Sequence, residues 1–149
     1  MSYSNLPLAR RAASPSSVSA VPLHFSATCF IGTLVADLAY WLTAELTWAN
    51  FSDWLLVSGL LLSLIAGVAI AIDLLRGAIT MTSAISWLYI AGLGLAFILS
   101  VLNALVHSRD GWTSVVPTGL ALSAATFIAI VISAICSPRV RSGHRQERL

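Results

Sequence analysis

The sequence predicts an all-α integral membrane protein, a four-helix bundle with antiparallel neighbours and short loops. Three observations carry this. Of 149 residues, 58% are hydrophobic and 9% charged, where an ordinary soluble domain has roughly a quarter charged. The apolar residues gather into four segments, at 22–46, 53–75, 84–106 and 115–136. Each exceeds the ~20 residues that a helix rising 1.5 Å per residue needs to cross about 30 Å of hydrocarbon. Open strands are excluded at that depth, because each unpaired backbone group in lipid costs several kcal/mol.

Residues 1–20 are polar and rich in Ser and Ala, with Pro7 and Pro15, and read as a disordered cytoplasmic tail. Arg10 and Arg11 precede the first apolar segment as they would in a signal peptide. That segment is too long for one and contains Asp37, so it reads as a retained span. The second and third segments place Gly59, Ser63, Gly67, Ala71 and Gly92, Ala96, Ser100, Ala104 at four-residue intervals. The fourth does so with Ala121, Ala125, Ala129, Ser133, and the first has Gly32 and Ala36. Small stripes let helix backbones approach closely, which matters where lipid supplies no hydrophobic drive between helices. They suit packing inside one bundle (residues 21–137) and equally a homo-oligomer. The fourth segment is entered through Pro117, tolerated in a first turn, and 138–149 form a basic cytoplasmic tail.

All eight basic residues are Arg, and they lie at the ends and turns. Arg10 and Arg11, Arg76, and the four arginines after position 138 fall on one side, with Arg109 alone on the other. The positive-inside rule then puts both termini in the cytoplasm. Trp48, Trp54 and Trp112 fall near the external interface and Trp87 near the internal one. With a net charge of +2 and no basic face, nothing points to nucleic acid. Cys29 and Cys136 lie in or beside apolar segments and read as small buried side chains.

Ionisable groups inside a bilayer cost about 2.5–3.5 kcal/mol on insertion scales, so each requires a partner or a purpose. Asp37 lies thirteen positions after His24 and slightly external of the midplane. It should face the bundle interior, with Ser63, Ser100 and Ser123 at similar depth. Two readings stand: a hydrogen-bonded Asp that fixes packing, or a proton or ligand site. At the cytoplasmic edge, Asp73 and Arg76 are three apart and able to pair on one helix face, snorkelling to the interface, with His24 as a switchable third member. At the external edge, Asn103 and His107 share a helix face, and the polar turn Ser108, Arg109, Asp110, Gly111, Trp112 follows. His24 and His107 lie at opposite membrane faces and cannot both ligate one haem within one chain.

The run Asp37, Leu38, Ala39, Tyr40, Trp41, the position of Asp73, and above all Asn103 to Ala124 (NALVHSRDGWTSVVPTGLALSA) resemble a bacterial family of four-helix inner-membrane proteins, domain of unknown function 2231. His24 and Phe25 match the His-Phe pair at the start of that family's first helix; Ser26 stands where a Pro usually follows. The resemblance implies the fold and a bacterial inner membrane. Some relatives are encoded beside or fused to redox proteins, which brings a redox partner into view by association.

No nucleophile elbow, phosphate loop, dinucleotide fingerprint or zinc motif occurs, which points away from an enzyme. The first expectation is an accessory or anchor that engages a periplasmic or redox partner through Arg109, Asp110 and Trp112. The second is an electron-transfer subunit binding haem b or a quinone through His24 or His107. The third is a conduit for protons or a small solute centred on Asp37.

Overall fold

A computed structural model describes residues 18–77, 83–109 and 115–137. The tails and the turn residues Asp110 and Trp112 lie outside the described residues. Among those described there are four helices and no strand: α1 (Ala20–Thr43), α2 (Leu46–Leu75), α3 (Ala84–His107) and α4 (Leu120–Ile135). All four spans, counting the last from Val115, are long and apolar enough to cross a membrane.

Two boundaries differ from the sequence expectation. α2 begins at Leu46, seven residues before the expected start, and only Ala44 and Glu45 separate it from α1. Ala44 adopts a left-handed conformation (φ 54°) and its N–H donates to the Tyr40 carbonyl at 2.7 Å, which closes α1 and reverses the chain at once. The polar-aromatic stretch that resembled a loop, Trp48 to Ser52, is therefore helix. The 30 residues of α2 span about 45 Å, so α2 projects beyond the hydrocarbon. At the other boundary, Val115–Gly119 form a wide turn in which Val116 is extended (φ −122°, ψ 130°) and the Val116–Pro117 bond is cis, so regular α4 starts only at Leu120.

Most of the interior is small or polar, with Phe30, Leu56, Tyr89 and Val115 the large buried exceptions, and most large apolar side chains face outward. Ser26, Thr33, Ser52, Ser86, Ser100, Ser123, Thr126 and Ser133 are buried, whereas Leu42, Leu61, Val68, Leu75, Trp54 and Ile135 are exposed. Hydrocarbon is as good a solvent for leucine as the bundle core, so close approach of small residues and hydrogen bonding hold the helices instead. α1 packs mainly on α2 and α3 on α4, with α1 also touching α4; contact between α2 and α3 is sparse.

The four-residue stripes are only partly buried. On α2 the buried face runs Ala49, Ser52, Leu56, Gly59, Ala66, Ala69, Asp73, and Gly67 and Ala71 lie outside it. A step of four residues overshoots a turn by about 40°, so a strict stripe winds off the contact face, while alternating steps of three and four stay on it. Gly59 sits against Phe30 and Cys29 of α1, and Gly92 against Ser133 of α4. Gly67 and Gly94, by contrast, line an apolar groove of about 360 Å³ walled by α1, α2 and α3.

Candidate functional site: a four-helix acid–base cluster

Each helix contributes one wall of a single buried polar cluster. Asp37, seven residues from the first position after α1, is fully buried. The early start of α2 brings Ser52 level with it, and the Ser52 hydroxyl donates to Asp37 Oδ1 at 2.5 Å. From α4, Ser123 donates to Asp37 Oδ2 at 2.5 Å. From α3, His107 places Nε2 3.1 Å from Asp37 Oδ1 and 3.4 Å from Ser52 Oγ. The Asn103 side-chain amide completes the ring by donating to Ser123 Oγ at 2.8 Å.

The direction of these hydrogen bonds fixes the proton count. His107 Nδ1 lies 3.1 Å from the Asn103 carbonyl oxygen, an atom that can only accept, so Nδ1 carries a hydrogen. A neutral imidazole has one N–H, already used there. The Nε2···Oδ1 contact therefore needs a further proton, carried by the ring or by the carboxyl. Ser52 and Ser123 both donate to Asp37, which favours the carboxylate and hence an imidazolium at His107. In either form the pair carries no net charge, which reduces the penalty for holding ionisable groups at this depth.

Of the serines expected beside Asp37, only Ser123 is there. Ser63 donates to the Leu60 carbonyl and Ser100 to the Ala96 carbonyl, both within their own helices. Ser52 lies outside the expected second segment, which starts at 53; the signal for it is the buried period of α2 continuing upstream from Leu56 to Ala49. His107 is not an edge residue of a polar turn but a buried member of the cluster, 7% exposed. Asn103, four residues earlier, is buried on the same helix. Arg109, just beyond α3, is exposed.

At the opposite end Asp73 does not snorkel toward an interface with Arg76. It is fully buried, and its carboxylate accepts from Val18 N–H (3.1 Å), Ser19 N–H (3.0 Å) and Ser19 Oγ (2.6 Å). Val18 and Ser19 stand just before the first residue of α1, so a carboxylate from the neighbouring helix fixes the chain where it enters α1, and Ser19 makes no side-chain cap bond within α1 itself. Arg76 is exposed at the end of α2. His24 is exposed on α1, its Nδ1 2.5 Å from the Ala20 carbonyl; no hydrogen bond joins it to Asp73. Between the two ends, Ser26 donates to the Gly59 carbonyl at 3.0 Å, using the hydroxyl that Pro would lack.

His107 does not fit the role of an axial haem ligand, because both ring nitrogens are engaged within the bundle. Among the described residues no group of three or more His, Cys, Asp or Glu could hold a metal ion.

Four antiparallel apolar helices around a polar interior define a multi-pass membrane protein. The chain belongs to the DUF2231 family, described as predicted membrane proteins, whose profile matches residues 20–140. No curated protein sequence matches it, and neither does any solved structure.

Proposed function

We propose that this protein handles protons in the bacterial inner membrane, with the Asp37–His107 pair as the group that takes up and releases one proton. The observation that carries the reading is the convergence of all four helices on one carboxylate. A residue that served only to pin two helices would need one partner. Asp37 has three, one of them titratable, and the remainder of the ring is built from hydroxyls and an amide that stay neutral while the proton moves. With both termini in the cytoplasm the pair lies toward the external face, where exposed Arg109 begins the turn at which a partner, redox or periplasmic, would meet α3.

Reconstitution into liposomes with a trapped pH dye tests it. Wild-type protein should pass protons when a potential is applied. Asp37→Asn, which keeps the shape but exchanges one accepting oxygen for an NH2 donor and removes the titratable carboxyl, should reduce the flux at least tenfold. Equal flux from wild type and variant overturns the proposal.

A further inference from the structure

Among the described residues, two buried side-chain polar atoms have no hydrogen-bond partner: Asn103 Oδ1 and Thr126 Oγ1. Their residues are 1% and 3% exposed. Leaving a buried polar atom unpaired costs about 1–3 kcal/mol, and such atoms in native interiors commonly mark a bound water. Both belong to residues grouped around Ser123, Asn103 bonded to it and Thr126 about one helical turn from it. The nitrogen of the Asn103 amide is fixed by its bond to Ser123 Oγ, which directs the amide oxygen away from that serine. Thr126 follows Ser123 by three residues on the buried face of α4, about 4.5 Å further along the axis.

The two atoms are a donor and an acceptor that make no direct hydrogen bond, and a water between them completes both. Asn103 Oδ1 can only accept. Thr126 can donate. A water that accepts from the Thr126 hydroxyl and donates to Asn103 Oδ1 satisfies both, and its second hydrogen finds lone pairs among the neighbouring hydroxyls. An apolar ligand would leave both atoms unpaired, and an anion would be repelled by the amide oxygen.

We infer that Asn103 and Thr126 hold an internal water on the membrane-centre side of the Asp37–His107 pair. The water extends the hydrogen-bonded run Asp37, Ser123, Asn103 by one step toward the middle of the bundle. Its role rests on the proton-handling reading above; its existence rests on the orphaned atoms alone.

Water-edited solid-state NMR of the full chain in bilayers tests the site. Magnetisation should pass from water to the Asn103 side-chain amide and the Thr126 methyl several times faster than to the buried Leu56 methyls. Thr126→Val, of nearly equal volume, should slow the transfer at Asn103 severalfold, and Thr126→Ser should restore it. Transfer at Asn103 no faster than at Leu56, or unaffected by Thr126→Val, overturns the water site. Should Thr126→Val fail to fold, the wild-type comparison with Leu56 decides alone. Proton flux in the same liposomes separates the two ideas: a hydrated Asn103 without flux removes the proton-handling reading and keeps the water, and flux with a dry Asn103 does the reverse.

Discussion

Asp73 on α2 caps the start of α1 through Ser19, taking both its N–H and its hydroxyl at 3.0 and 2.6 Å. With the Ser52 hydroxyl on Asp37 at the far end, the α1–α2 hairpin is fastened at both ends by a buried carboxylate of one helix and a serine of the other. The two fastenings run in opposite senses: α1 supplies the acid at one end and α2 at the other.

Asp73→Ala strips the acceptor from two backbone N–H groups and a hydroxyl. The loss of a cap together with newly unpaired buried donors should destabilise the protein by about 2–4 kcal/mol. Unfolding in mixed detergent micelles measures this. Asp73→Asn, which keeps one acceptor oxygen, should recover part of it, and equal stability of Asp73→Ala and wild type would contradict the cap.

The glycines of α2 separate packing from coincidence. A Cβ at Gly59 would stand 2.7 Å from Phe30 Cε1 and 3.1 Å from Cys29 Cβ, whereas one at Gly67 would meet nothing within 4 Å. Gly59→Ala should therefore cost about 1–3 kcal/mol by overpacking. Gly67→Ala should be neutral or stabilising by about 0.4–1 kcal/mol, since a helical glycine loses more backbone freedom on folding. The same micelle unfolding, run on both variants, checks the contrast.

Four spans would return the chain to the side on which it began, and the positive-inside rule applied to the arginine distribution predicts that this side is the cytoplasm. Reporter fusions at residue 1 and residue 149 should both signal from the cytoplasm, and a reporter inserted at Gly111 from the opposite side. Termini reporting from different sides would remove the four-span topology.

Much of the fold was legible because lipid imposes a coarse rule: segments of about twenty apolar residues must be helices. Asp37 stood out for the same reason, as an ionisable group deep in such a segment. Its partners were harder to read because they depend on register between helices. A two-residue reversal at Ala44 and Glu45, in place of a longer loop, moves the start of α2 by seven residues, or about 10 Å along its axis. That shift is what turns Ser52 from a loop residue into a ligand of Asp37. Asp73 was misread for a related reason: its three-residue spacing from Arg76 is visible in the chain, whereas its approach to Ser19, 54 residues away, is visible only after folding.

The pairing of Asp37 with His107 is tested most directly by the nitrogen-15 spectrum of the His107 ring in bilayers at neutral pH. Both ring nitrogens should appear protonated in the wild type, and in Asp37→Asn the ring should become neutral with its single hydrogen on Nδ1. A neutral His107 ring in the wild type, unchanged by Asp37→Asn, would contradict the ion pair on which the acid–base cluster is built.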